Sequence, residues 1–197
     1  VDIDADHFKG EHPAVGCVGM VAKGDARIYR KVCAGNMKHC MTALLGHAEG
    51  YEFVADCYDN ARLMRCVDSA FLEAAAAIQA EYHFDEEDHR QFLEASAAGL
   101  RNRNLKDPIA RVCAKPISKL RRENRFVSPA LLCLKHHILP FYLAMGIVYG
   151  LCYRDENDSE SVEITDFVKA EGVERAIEKY CGLGEEDWLL RQLILAQ

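Results

Sequence analysis

The helical spacing of apolar residues after Asp25 is the feature that most limits what this chain can fold into. Apolar and small side chains recur every three or four residues over about 25–46, about 52–82 and about 85–100. This period predicts amphipathic α-helices. Strand-like alternation is confined to residues 1–22, which also contain Pro13 and several glycines. We therefore expect a mostly α, multi-helix domain over residues 23–197, preceded by an extended segment.

Shorter helices are expected in the second half. Asp107-Pro108 and Ser128-Pro129 each place a proline at a helix start, where its missing N–H is tolerated. A further helix, apolar on all sides, is predicted after Pro140, and two surface helices over about 162–169 and 173–181. Trp188 is expected to pack at the C-terminus. No glycine-rich phosphate loop and no alternating strand–helix pattern occurs, so we expect no dinucleotide fold within this chain.

Composition excludes several classes of protein. The chain has 197 residues, of which 50% are hydrophobic, enough for one buried core. Its longest apolar run, residues 139–152, is interrupted by Pro140 and Gly146 and is shorter than the roughly 18 residues that span a bilayer. The nine cysteines form no C-x-x-C pair and no zinc-ligand spacing with histidine. We therefore expect no membrane contact, no metal and reduced cysteines in a cytoplasmic protein.

Positive charge is concentrated in residues 101–125. Nine lysines and arginines occur there beside two acids, Asp107 and Glu123, whereas the whole chain has a net charge of −7. Nucleic-acid-binding domains are usually basic overall. The basic stretch therefore indicates a small anionic ligand rather than a nucleic acid.

The most informative polar pattern is Lys31-x4-Asn36-x2-His39, surrounded by small and apolar residues. On an α-helix the three side chains fall within one sector of about 140°. A lysine in a partly buried pocket loses hydration of its charged form and can exchange protons near neutral pH. The amide can stabilise a developing negative oxygen, and the imidazole can orient a hydroxyl. Gly35 would let a ligand or backbone approach closely beside Asn36.

This pattern, followed by Thr42-Ala43 and Leu45-Gly46, resembles the signature of the polyol-specific long-chain dehydrogenases. The segments "KPISKLRRENRFVSPAL" (115–131), "AMGIVYGLCYRDENDSE" (144–160) and "CGL" (181–183) are similar to the mannitol-1-phosphate 5-dehydrogenase branch of that family. The likeness covers the C-terminal, substrate-binding half only. It implies a fold like the C-terminal domain of 6-phosphogluconate dehydrogenase, with residues 1–22 as the linker from a missing Rossmann domain that binds most of the NAD.

The resemblance also implies roles for individual residues. Lys31 would be the general acid/base, Asn36 would stabilise the alkoxide-like oxygen, and His39 would bind or orient the reacting hydroxyl. The family's Arg-x-x-Asn pattern matches Arg101-Asn102-Arg103-Asn104, where following residues of the family pattern are absent, so Arg101 and Arg103 remain alternative substrate contacts. We expect Lys119 and Arg125 to bind the anionic end of the substrate.

Several functions remain open from the sequence. The first is the catalytic domain of an enzyme that converts mannitol 1-phosphate to fructose 6-phosphate with NAD or NADP. The same family contains mannitol 2-dehydrogenase and fructuronate or tagaturonate reductase as alternatives. A non-catalytic helical module, or an anion-binding protein that uses residues 101–125, would be a function of another class.

Overall fold

A computed structural model describes residues 2–11, 15–16, 19–99 and 106–197. The expected mostly α fold is confirmed. Two short strands stand at the N-terminus, β1 (Asp2–Asp4) and β2 (Gly19–Val21). They pair in parallel, with Ile3 opposite Met20. The extended N-terminal segment therefore contributes a small two-stranded sheet.

The first half of the helical domain contains one long interrupted helix and two more. Helix α1 (Gly24–Arg30) continues through a π-helical turn (Lys31–Asn36) into α2 (Met37–Ala48). A 3-10 helix (Val54–Asp59) leads into α3 (Ala61–Tyr82), and α4 (Glu86–Gly99) follows.

The second half is built from shorter helices. The described elements are α5 (Ile109–Cys113), α6 (Pro116–Leu120), α7 (Val127–Lys135), α8 (Phe141–Cys152), α9 (Ser159–Glu171), α10 (Val173–Cys181), a 3-10 turn (Glu185–Asp187) and α11 (Trp188–Leu195). The helices predicted over about 162–169 and 173–181 correspond to α9 and α10.

Three local predictions are corrected. The pattern over 52–82 is not one helix, because Asn60 is extended and its side chain accepts the Leu63 N–H at the start of α3, as helix-capping residues do. Pro108 precedes α5, and Pro129 is the third residue of α7, so neither is at the first helical position. Trp188 does not pack into the C-terminus, since 63% of it is exposed.

The core lies between α3 and the helices around it. Helix α3 packs against α2, α7 and α8, and Met37, Met41, Ile78 and Leu143 are fully buried there. Helix α8 approaches its neighbours closely at Gly146. A Cβ atom there would lie 2.7 Å from Cε1 of Phe126, so only glycine fits this contact without displacing the ring.

The N-terminal segment is attached to the helical domain at Lys23. Its backbone N–H donates to Asp6, and its Nζ donates to the carbonyl oxygens of Tyr82 and His83 at 2.7 and 2.8 Å. These bonds fix the start of α1 against the end of α3. In the part of the chain that the structure describes, none of the helices has the length and apolarity required to cross a membrane.

Candidate active site

The π-helical turn begins at Lys31 and ends at Asn36. At its end the Met37 N–H reaches the carbonyl oxygen of Val32, five residues earlier, which is the bonding pattern of a π-helix. In an α-helix, residues five apart differ by about 140° around the axis. A wider turn reduces that angle, so the π-turn brings Lys31 and Asn36 closer to the same face than the sequence pattern implied.

Lys31 is exposed in this chain, although its neighbours Cys33 and Ala34 are buried. The expected burial of the lysine is therefore wrong for this chain, because only the opposite face of the helix is covered. Lys31 lines an open cavity of about 520 Å³ together with residues of the N-terminal segment, α1 and α4, among them Asp4, Asp25 and Phe92. Of the described residues around this cavity, Lys31 is the single member of the predicted set.

Arg30, the residue before Lys31, is buried and also lines this cavity. Its guanidinium stacks over the rings of Phe84 and Phe92, with 4.1 and 4.5 Å from Cζ to the ring centroids. It also lies 2.9 Å from Asp88. These contacts hold the last turn of α1 and so fix where Lys31 begins the π-turn.

Asn36 is exposed, and its side chain has no hydrogen-bond partner among the described residues. The adjacent Gly35 faces open space, since a Cβ built there would meet no described atom within 4 Å. The surface beside Asn36 is therefore free for a ligand or for another part of a protein, in keeping with the expectation for Gly35.

His39 lies against the start of α5 rather than in the open cavity. Its Nε2 is 2.8 Å from Oδ2 of Asp107. The other ring nitrogen, Nδ1, is buried and has no partner among the described residues. A substrate hydroxyl can reach Nε2 only by sharing its proton with Asp107.

Asp107 joins His39 to Arg111. The carboxylate is 4% exposed, and its Oδ1 accepts from Nε of Arg111 at 2.7 Å and from Nη2 of the same side chain. Burial would raise the pKa of Asp107, but the hydrogen bonds from Arg111 and His39 outweigh it and hold the pKa below its ordinary value. Asp107 is therefore an ionised acceptor at neutral pH.

Lys119 and Arg125 approach the face of α2 that carries Cys40. Burial raises the pKa of the Cys40 thiol, and the charges of Arg125 and Lys119 oppose this shift. Burial also lowers the pKa of Lys119, and the charge of Arg125 adds to that effect. Asn36 lies four residues before Cys40 and so on the same face of the helix. The two cations therefore lie on the Asn36 side of α2.

No described carboxylate forms an ion pair with Lys119 or Arg125. Arg125 Nε donates to Oδ1 of Asn124 at 3.3 Å, and the Arg125 side chain also forms a hydrogen bond with the Cys40 thiol. Arg122, by contrast, is bound to Asp187 through both terminal nitrogens. The charge of Asp158 acts on Lys119 without a direct ion pair. Two half-buried cations without a direct ion pair among the described residues are available for an anion, which the paired Arg122 is not.

The structure gives no position for the other predicted substrate contacts. Arg101 and Arg103 lie outside the described residues. Within the described ranges, no group of three histidine, cysteine or acidic side chains is arranged to hold a metal ion. The eight described cysteines are free thiols.

The sequence interpretation missed Asp107 and Arg111 as members of the site. A signal was present, because Asp107 is one of only two acids in the basic stretch of residues 101–125. Its contact with His39, 68 residues earlier, depends on how α5 packs against α2, and no local pattern encodes that packing.

The structure thus shows a helical domain with an exposed lysine and asparagine on a π-turn and a histidine paired with a buried aspartate. The mannitol dehydrogenase C-terminal domain family matches residues 25–184, and the chain belongs to this family.

Curated relatives share one name. The chain is 32% identical over 195 residues to the mannitol-1-phosphate 5-dehydrogenase of Exiguobacterium sibiricum, covering 99% of this chain and 51% of that protein. It is 30% identical over 181 residues to the enzyme of the same name from Buchnera aphidicola subsp. Acyrthosiphon pisum (strain Tuc7), covering 92% of this chain and 47% of the relative. The chain thus spans about half the length of these relatives.

Proposed function

We propose that this chain is the substrate-binding, catalytic half of an NAD-dependent dehydrogenase that interconverts mannitol 1-phosphate and fructose 6-phosphate. The main support is the pairing of Lys31 and Asn36 on one exposed π-turn, in a chain of the mannitol dehydrogenase C-terminal domain family. The names of the curated relatives point to the same substrate.

Lys31 acts as the general acid/base in this proposal. Its amine takes the hydroxyl proton of the polyol, while the hydride leaves the same carbon; in the reverse direction its ammonium returns the proton. Asn36 donates its amide N–H to the oxygen on which negative charge develops. His39 orients the same hydroxyl from the α5 side. NAD supplies the hydride acceptor.

NAD is held mainly outside this chain. The described sheet has only two short strands, which do not form the doubly wound sheet that binds dinucleotides. We assign residues 1–22 to the connection with a Rossmann domain and residues 23–197 to the catalytic domain. The open cavity beside Lys31 and the free surface at Gly35 are where that domain and the substrate would close the site.

Lys119 and Arg125 hold the phosphate in this proposal. They lie on the Asn36 side of α2 without a direct ion pair among the described residues, so an anionic substrate group would supply one. Holding the far end of the substrate positions the reacting hydroxyl and so favours turnover as well as binding. The free thiols, most of them buried, fit a reducing compartment, and we assign the enzyme to the cytoplasm.

The test is to join this chain to the half of the Exiguobacterium sibiricum protein that it does not match. We expect the joined protein to reduce NAD with mannitol 1-phosphate, and the 197-residue chain alone to show no activity. Free mannitol, fructuronate and tagaturonate are assayed beside it. A folded joined protein that prefers one of these three, or that oxidises none, would overturn the assignment, and activity of the chain alone would overturn the division between two domains.

A further inference from the structure

The contact between Asp107 and His39 indicates which group accepts the proton of the substrate hydroxyl. This inference rests on the function proposed above. We propose that Asp107 is a positioning residue that fixes His39 as a hydrogen-bond donor. His39 therefore does not act as a base, and the proton of the substrate hydroxyl goes to Lys31.

The backbone of Asp107 is held on both sides, which suits a positioning role. Its carbonyl oxygen accepts the Val54 N–H at 3.0 Å, and the Ile109 N–H donates to the Glu52 carbonyl at 2.9 Å. Pro108 pairs with Phe53 in an isolated bridge between these two bonds. The carboxylate therefore projects towards α2 from a fixed support rather than from a loose loop.

The two oxygens of Asp107 have separate tasks. Oδ1 accepts from Arg111, and Oδ2 faces Nε2 of His39 at 2.8 Å. The Arg111 side chain is 69% exposed and that of His39 is 23% exposed, whereas the carboxylate between them is almost fully buried. The buried carboxylate of Asp107 thus orients both His39 and Arg111.

For a neutral imidazole, two observations indicate which nitrogen of His39 carries the proton. An ionised carboxylate only accepts hydrogen bonds, so the nitrogen that faces Asp107 has to be an N–H. The other nitrogen, Nδ1, is buried without a described partner, and a bare lone pair there costs less than an orphaned N–H. Both observations select the tautomer with the proton on Nε2.

This tautomer defines what His39 offers to a substrate. The Nε2–H can be shared between Asp107 and a substrate oxygen, which orients that oxygen through a donated bond. The lone pair of Nδ1 is enclosed by protein and cannot take a proton from the substrate. Lys31, which begins the π-turn, is exposed and lines the cavity, and it is then the group that accepts this proton.

The first test uses the 197-residue chain and needs no activity. Long-range nitrogen–proton correlation spectra of the histidine rings, recorded at about pH 8 where imidazoles are mainly neutral, identify the protonated nitrogen of His39. We expect Nε2–H in the unmodified chain and a mixture of tautomers in Asp107→Asn, because an amide can either accept or donate. An Nδ1–H tautomer in the unmodified chain would overturn the proposal, even if the variant fails to fold.

The second test measures kinetics in the joined dehydrogenase. Asp107→Asn is expected to lower kcat by about tenfold to a hundredfold, as loss of an orienting partner commonly does, when it is measured at a temperature where the variant is fully folded. Asp68→Asn is the control. Asp68 of α3 pairs at 2.8 Å with Lys38, which lies on the same helix as His39 but away from the site. Equal kcat losses in the two variants, or none in Asp107→Asn, would refute a positioning role. If the joined protein is inactive on every substrate, the proposed function fails, and the tautomer measurement alone decides the role of Asp107.

Discussion

Lys31 and Asn36 are the first and last residues of a single π-helical turn that joins helices α1 and α2. Both side chains are exposed, and the wider turn brings them closer to one face than α-helical spacing would. Single π-turns inside α-helices are frequent at functional sites. In the proposed function, this turn would let the Lys31 amine and the Asn36 amide face the same substrate oxygen.

Gly35 lies inside this turn with open space around it, so Gly35→Ala is expected to stabilise the isolated chain. A Cβ would meet no described atom within 4 Å, and alanine loses less conformational entropy than glycine in a helix. The gain should be about 0.5–1 kcal/mol, measured by urea unfolding. A loss of stability would show that the π-turn itself requires glycine.

Gly146→Ala is the matched substitution at a glycine that is closely packed against a neighbouring side chain. Its Cβ would lie 2.7 Å from Cε1 of the fully buried Phe126, so we expect a loss of about 1–3 kcal/mol from overpacking. The same unfolding experiment applies. A gain at both positions would mean that α8 can move away from Phe126 at little cost.

Arg125→Ala in the joined dehydrogenase is expected to impair phosphorylated substrates far more than free ones. Arg125 has no described carboxylate partner and acts with Lys119 beside Cys40. The measurement is the ratio of kcat/KM for mannitol 1-phosphate to that for free mannitol, at fixed ionic strength. The ratio should fall by at least about tenfold, because loss of a charge-assisted bond removes roughly 1.5–3 kcal/mol.

Arg121→Ala is the control for the loss of positive charge. Arg121 is an exposed arginine four residues before Arg125, and its removal should leave the ratio nearly unchanged. If both variants lower the ratio equally, the effect comes from the general field of the basic stretch. If neither changes it, the phosphate is not held by Arg125.

Asp187 should make stability depend on pH in the acid range. Hydrogen bonds from Arg122, opposed by burial, lower the pKa of Asp187 below its ordinary value of 3.8. A carboxylate with a lowered folded-state pKa stabilises the fold above its unfolded pKa, and that contribution is lost as the pH falls through the folded pKa. Asp187→Asn should therefore lower stability near neutral pH and flatten its decline below about pH 4.

Asp166→Asn provides the comparison for that measurement. Asp166 pairs with Arg154 at 2.7 Å, but 58% of its side chain is exposed, so its loss should change the acid limb much less. Unfolding free energies from pH 2 to 7 would be compared. Parallel curves for Asp187→Asn and the unmodified chain would contradict the assigned role of the Arg122–Asp187 pair.

The sequence predicted the bounds of some helices well. Helices α4, α9 and α10 begin or end within a few residues of their predicted bounds. The π-turn was not predicted, because one additional residue per turn hardly changes the apolar spacing on either side of it. The break before α3 was also missed, although Asn60 is a favourable capping residue.

The sequence could predict which residues of one helix form the candidate site, but not what surrounds each of them. The spacing of Lys31, Asn36 and His39 identified the helix that carries them. It could not show that Lys31 is exposed or that His39 faces Asp107, because both depend on which elements pack beside the helix. The pairing of Arg122 with Asp187 likewise depends on how the 3-10 turn before α11 packs against the segment after α6.

The most direct test of the whole account is the turnover of the joined dehydrogenase with Lys31→Ala, measured with mannitol 1-phosphate at saturating NAD. Because Lys31 is exposed, the melting temperature should be unchanged, and Lys169→Ala, at an exposed lysine of α9, should retain full activity. We predict a loss in kcat of at least about a hundredfold, the usual contribution of a general acid/base, with partial recovery on addition of a small primary amine. Near-normal turnover of Lys31→Ala would remove Lys31 from the mechanism and contradict the proposed function of this helix.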